Sequence, residues 1–93
     1  MTNFYIATSI PYINGPPHIG HGLELTLADT LARYARKQGN QVIFSTGTDE
    51  HGGKIEEKAT ELNITPQALA DQNSAKFREL AATLGISNDR FIR

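Results

Sequence analysis

Three short stretches of this chain hold residue types that could do chemistry together. The first is His18-Ile19-Gly20-His21, where a proline-rich loop gives way to a helical pattern. Two imidazoles at that spacing lie close to each other on a helix's first turn. Free backbone N–H groups and the positive end of the dipole make such a place attract anions. A neutral imidazole donates one hydrogen bond and an imidazolium two, so either form can contact a phosphate oxygen. Gly20 carries no side chain, which lets a flat group such as adenine approach the backbone. The second stretch is Gly47-Thr48-Asp49-Glu50-His51-Gly52. A glycine-flanked acidic turn after a strand can aim a carboxylate at an ammonium group, a charge-assisted contact of about 1.5–3 kcal/mol. The third is Tyr12, within Ile10-Pro11-Tyr12-Ile13-Asn14-Gly15-Pro16-Pro17. An aromatic ring on a stiff loop can wall an apolar pocket.

Each stretch also has a plainer reading. The histidines could be two surface residues at a helix start. The acidic turn could simply cap the helix after it, which Asp and Glu do well. Tyr12 could pack locally. A metal site built from His18, His21 and His51 is the least favoured alternative, because the first pair is better placed for an anion.

The elements that must position these residues favour a joint site. Residues 3–9 are rich in aromatic and β-branched types and read as a strand. The loop after them holds three prolines and an Asn-Gly pair, which forbid helix. A helix is predicted from Ile19 to Gln38, with Leu23, Leu27, Leu31 and Tyr34 as its apolar stripe and Ala28, Ala32 and Ala35 beside them. Gly39 is its stop signal. Arg33, Arg36 and Lys37 cluster near that end, a favourable charge–dipole arrangement. Residues 41–46 read as a second strand, followed by the acidic turn and a short helix from Lys54 to Leu62. Thr65 is a natural N-cap with Pro66 at the first helical position. The last helix should run to Leu84 on a stripe of Leu69, Phe77, Leu80, Ala81 and Leu84, with Gly85 ending it.

The predicted fold is therefore α/β, in the order β-α-β-α-α, with parallel strands joined by a crossover helix. In that topology both polar loops emerge at the carboxyl edge of the sheet, where open α/β sheets bind ligands. An aromatic wall, an anchoring carboxylate and an anion-binding helix start suit an α-amino acid beside a nucleotide phosphate.

Composition removes other classes. The chain has 93 residues, one small domain at most. A net charge of −1 argues against binding nucleic acid or membrane by charge alone. There is no cysteine, hence no disulfide or thiolate metal site within these residues. No apolar run reaches the length of a membrane span, and the start lacks a signal-peptide pattern, so a cytoplasmic location is expected.

The string from Pro11 to His21 resembles the signature of class I aminoacyl-tRNA synthetases, in its methionyl form Tyr-x-Asn-Gly-x-x-His-Ile-Gly-His. Thr46-Gly47-Thr48-Asp49-Glu50-His51-Gly52 is similar to a second methionyl motif, and Leu84 to Phe91 looks like a third. The similarity runs over essentially the whole chain. It implies that residues 1–93 form the first half of a Rossmann-like catalytic domain. It implies that His18 and His21 hold ATP phosphates and stabilise transition-state charge, with Gly20 under the adenine and Asn14 at the ATP end. Asp49 would bind the methionine ammonium group, and Tyr12 with Ile10 would line the methionine site. His51 and Lys54 match the pattern without an assigned role. The implied reaction is attack of the methionine carboxylate on the α-phosphate of ATP, releasing pyrophosphate, then transfer to tRNA. ATP would arrive with Mg²⁺ held largely by phosphates and water. The family's Lys-Met-Ser-Lys-Ser motif is absent here, so the chain alone is expected to be inactive, and structural zinc would belong to a cysteine-bearing insertion outside these residues. A sheet cut in half should also expose an unpaired edge that favours self-association. The competing readings are a class I synthetase for another amino acid, a nucleotidyltransferase with a similar His-x-Gly-His start, and a non-catalytic methionine-binding module.

Overall fold

The structure is a computed structural model that describes residues 2–11, 15–50 and 53–93. Strand β1 (Asn3–Ala7) leads through the proline-rich loop into helix α1 (Ile19–Lys37), then strand β2 (Gln41–Gly47). Helices α2 (Gly53–Leu62) and α3 (Pro66–Thr83) follow, and a short strand β3 (Arg90–Ile92) comes last. The strands form one parallel sheet in the order β1-β2-β3. β1 and β2 pair from Asn3 opposite Gln41 to Ala7 opposite Ser45. The carboxyl ends of both strands therefore lie together, as the crossover topology requires.

The helix signals act as expected. Thr65 accepts a hydrogen bond from the Ala68 N–H at 3.1 Å, with Pro66 behind it in the first turn. Gly39 (φ +86°) and Gly85 (φ +68°) take the left-handed conformation that lets the chain leave a helix without a Cβ clash.

Two features depart from the sequence reading. The first is β3, which adds a strand to the predicted β-α-β-α-α order. Its three residues are too few for an alternation pattern. The Asp89 carboxylate fixes its start by accepting the Phe44 N–H at 2.8 Å, while the Phe44 carbonyl accepts the Asp89 N–H at 2.7 Å. Gly47 belongs to this pairing. A Cβ there would run into the Ile92 carbonyl, with its carbon at 2.8 Å, so only glycine admits the close approach.

The second departure is the rotation of α1. The leucine stripe faces outward, with Leu23, Leu27, Leu31 and Tyr34 about 60% exposed (62, 59, 58 and 61%). Leu25, Asp29, Ala32 and Ala35 are the buried residues instead. Small alanines let the helix lie close against the sheet. Asp29 is tolerated inside because its carboxylate accepts the Ser87 N–H at 2.8 Å, the Ser87 hydroxyl and the Arg33 Nε at 2.8 Å. Burial pushes that carboxyl up, but Ser87 and Arg33 outweigh it and hold it below the usual carboxylate range. Arg33 and Arg36 reach past the helix end to the carbonyls of Gly85 and Ser87, at 2.7 and 3.0 Å. Their basic cluster thus ties α1 to the segment between α3 and β3.

The main apolar cluster lies between α2 and α3: Ile55, Ala59, Leu69, Ala70 and Phe77, with Ile64 and Phe91 packed on it. From the predicted α3 stripe, Leu69, Phe77 and Ala81 are buried, while Leu84 is 45% exposed.

Candidate functional site

His18 is the N-cap of α1 and His21 its third residue. The two side chains cap the helix reciprocally. Nδ1 of His18 accepts the Gly20 N–H at 3.0 Å, and Nδ1 of His21 accepts the His18 N–H at 3.0 Å. This is the geometry of a capping box with imidazoles in place of a hydroxyl and a carboxamide. It has a chemical consequence. A nitrogen that accepts cannot carry the proton, so each neutral ring holds its proton on Nε2. The rings lie against each other, centroids 3.9 Å apart and planes at 33°. Together they present two N–H donors at the positive end of a 19-residue helix.

The surroundings keep His21 in that form. Burial lowers its pKa below the usual histidine value, His18 lowers it further, and Glu24 partly opposes both. The His21 and Phe77 rings pack edge to face, centroids 4.8 Å apart at 73°. Phe77 is buried in α3, so that helix supports the imidazole through this ring contact. Gly20 has a role here beyond clearance for a ligand. A Cβ on it would lie 2.8 Å from Cε1 of His18 and 3.0 Å from Nδ1, so the cap exists only with glycine.

The acidic turn meets the exit loop of β1. The Asp49 N–H donates to the Pro11 carbonyl at 2.9 Å, joining the two loops directly. Thr48, almost fully buried, donates its N–H to the Ile92 carbonyl at 2.9 Å and fixes the end of β2. Arg93 grips the Glu50 carboxylate with Nε at 3.0 Å and also with Nη2, which lies 2.7 Å from Asp71 as well. Ile10, half-exposed, sits next to Pro11 in the β1 exit. A cleft lined by Ser9, Pro11, His21, Glu24, Gly47 and Phe77 runs between the loops and α1.

His18, Gly20, His21, Ile10 and Asp49 thus converge on the carboxyl edge of the sheet. Tyr12, Asn14 and His51 lie outside the described residues. Among the described residues, no three His, Cys, Asp or Glu side chains group as metal ligands. Glu24, Ser9 and Phe77 belong to the site and were not singled out for it in the sequence. Phe77 reads there only as core, and the Glu24–Ser9 contact needs a loop to fold back across 15 positions.

A parallel α/β sheet with a helix start and an acidic turn at its carboxyl edge has the architecture of the open α/β class, whose members bind ligands at that edge. Comparison with known proteins narrows it. Residues 4–93 match the family model described as "tRNA synthetases class I (M)", and the chain belongs to that family. It is 53% identical over 90 residues to the methionine–tRNA ligase of Rhizobium meliloti, covering 97% of this chain and 17% of that protein. It is 48% identical over 93 residues to that of Mycoplasma pneumoniae, covering 100% and 18%. Its fold superposes with a TM-score of 0.98 on the Mycobacterium tuberculosis methionyl-tRNA synthetase in complex with methionyl-adenylate, at 43% identity, covering 100% of this chain and 18% of the other. The chain spans less than a fifth of the length of these relatives. No helix among the described residues is long and apolar enough to cross a membrane.

Proposed function

We propose that this chain forms the amino-terminal part of the catalytic domain of a methionine–tRNA ligase and carries the side of the active site where methionine meets ATP. His18 and His21 donate from Nε2 to ATP phosphate oxygens and stabilise the charge that grows there during adenylation. Gly20 keeps the His18 cap intact and leaves room for the adenine. Asn14 belongs to the ATP end of the loop. Asp49 binds the ammonium group of methionine, while Ile10 and Tyr12 line its side chain. The methionine carboxylate then attacks the α-phosphorus, the bond to the bridging oxygen breaks, and pyrophosphate leaves. Transfer of the methionyl group to tRNA follows on parts of the protein beyond these residues. Mg²⁺ would be carried in by the phosphates and water rather than by a protein cage. The working place is the cytoplasm. The fragment does not catalyse the reaction by itself.

The observation that carries this reading is the 2.9 Å bond from the Asp49 N–H to the Pro11 carbonyl. It ties the turn that carries the Asp49 carboxylate to the β1 exit loop that precedes the histidine pair in sequence, and so supports a joint site for an amino acid and a phosphate chain. The test is methionine-dependent ATP–pyrophosphate exchange by a graft in which these 93 residues replace the matching segment of the Mycobacterium tuberculosis enzyme. The graft should exchange, and His21→Ala should lower its kcat by about 100- to 1,000-fold, the usual loss for one transition-state donor. A graft that binds methionine but never exchanges would favour a non-catalytic binding module. Full exchange by the His21→Ala graft would contradict the role given to the histidines.

A further inference from the structure

β1 ends at Ala7, and the last ladder bond beyond it runs from the Thr8 N–H to the Ser45 carbonyl at 3.2 Å. The chain then enters the loop that carries Ile10 and Pro11. Its next backbone donor is Ser9, whose N–H goes to Oε1 of Glu24 at 2.7 Å. The Ser9 hydroxyl donates to the same carboxylate, at 2.7 Å to Oε1 and 2.9 Å to Oε2. Both carboxylate oxygens of Glu24 are therefore committed to one residue. An exposed glutamate on a helix ordinarily faces solvent. This one closes a contact across 15 positions of sequence.

Its location gives the contact a purpose. Glu24 stands three residues after His21, on the next turn of α1. Ser9 precedes Ile10, and Pro11 on the other side is held by the Asp49 N–H. Ile10 is thus pinned from both flanks, once by the acidic turn and once by the helix that bears the histidines.

We infer that Glu24 is a positioning residue: through Ser9 it locks the loop carrying Ile10 and Pro11 to α1, and so sets the distance between the amino-acid side and the phosphate side of the site. This rests on the adenylation reading above. Glu24 acts on the geometry between two substrates rather than on either one. Its loss should therefore lower the rate of the step that joins them while leaving the binding of each nearly intact.

The test has two arms. In the 93-residue chain, hydrogen exchange of the Ser9 amide is followed by NMR in the parent and in Glu24→Ala. Exchange should accelerate at least about tenfold at Ser9, with far smaller changes in the β2 ladder. An unchanged Ser9 rate would overturn the latch whatever the enzyme does. In the graft, Glu24→Ala should lower kcat for pyrophosphate exchange by about 10- to 100-fold with each KM within about threefold. Glu24→Gln, which keeps an acceptor for the Ser9 N–H, should recover most of that loss. Ser9→Ala should lower kcat too, and the double variant Ser9→Ala/Glu24→Ala should be no worse than Glu24→Ala. Additive losses, or a rise in one KM with kcat unchanged, would show that Glu24 touches a substrate directly and would overturn the proposal. An inactive unsubstituted graft would count against the adenylation reading, and the amide arm would still decide the latch.

Discussion

Gly20→Ala should separate stability from function at this site. The added Cβ would lie 2.8 Å from Cε1 and 3.0 Å from Nδ1 of His18, so the ring has to swing away. The swing removes the bond from the Gly20 N–H to Nδ1 and the 3.9 Å stacking on His21. Losing an N-cap costs about 0.5–2 kcal/mol. Replacing a helical glycine by alanine returns up to about 1 kcal/mol, because alanine loses less backbone entropy on folding. The two effects nearly cancel, leaving a net change within about 1 kcal/mol, or about 4–8 °C in Tm for a domain this small. The displaced ring no longer holds its Nε2–H in the place that the cap fixes, so the phosphate donor proposed for His18 is lost. That predicts a fall of about 100- to 1,000-fold in kcat for exchange. Thermal melting of the chain and pyrophosphate exchange by the graft read the two effects separately. A loss of more than about 3 kcal/mol would mean that Gly20 is needed for folding rather than for the cap. Exchange within threefold of the parent would refute the donor role of His18.

Other consequences follow from the same structure. Gly47→Ala should lower stability by about 1–3 kcal/mol, since its Cβ meets backbone that cannot yield. Urea unfolding will show this, and an unchanged midpoint would mean that β3 is not docked on β2. Asp29 has a folded pKa below its unfolded value. Its contribution is therefore fully present above the unfolded carboxylate pKa of about 3.9 and is lost as pH falls through the folded value. Asp29→Asn should lower stability at neutral pH and flatten the acid limb of the stability curve, and an acid limb identical to the parent's would exclude this carboxylate as its source. The open β1 edge and the outward stripe of Leu23, Leu27, Leu31 and Tyr34 should make the 93-residue chain self-associate as concentration rises. Sedimentation velocity should show the association weakened by Leu27→Glu; a monomer at every concentration would count against it.

Local chemistry was the legible part of this sequence. The helix stops at Gly39 and Gly85, the Thr65-Pro66 start and the histidine pair all act within a few residues of themselves, and all appear where the residue types place them. What failed needed partners distant in sequence. The leucines of α1 give a good helical stripe, but the sheet takes the alanine side. The burial of Asp29 depends on Ser87, 58 positions away. β3 exists because Asp89 and Phe44 exchange backbone-directed bonds and Gly47 leaves room for Ile92, and three residues carry no pattern of their own. The same limit applies to the site. Its histidine half is one contiguous motif and can be read directly. The Glu24 latch and the support of His21 by Phe77 are tertiary, and a glutamate or phenylalanine in a helix signals neither.

The most direct test of the central claim is methionine binding by the graft, measured by equilibrium dialysis for the parent and for Asp49→Ala. Binding should be saturable, and excess leucine should not displace it. Asp49→Ala should weaken binding by about 10- to 150-fold, the loss of one charge-assisted contact of about 1.5–3 kcal/mol. Equal affinity in the two proteins would contradict the central claim, because the carboxylate at the junction of the two loops would then not be the anchor of the amino acid.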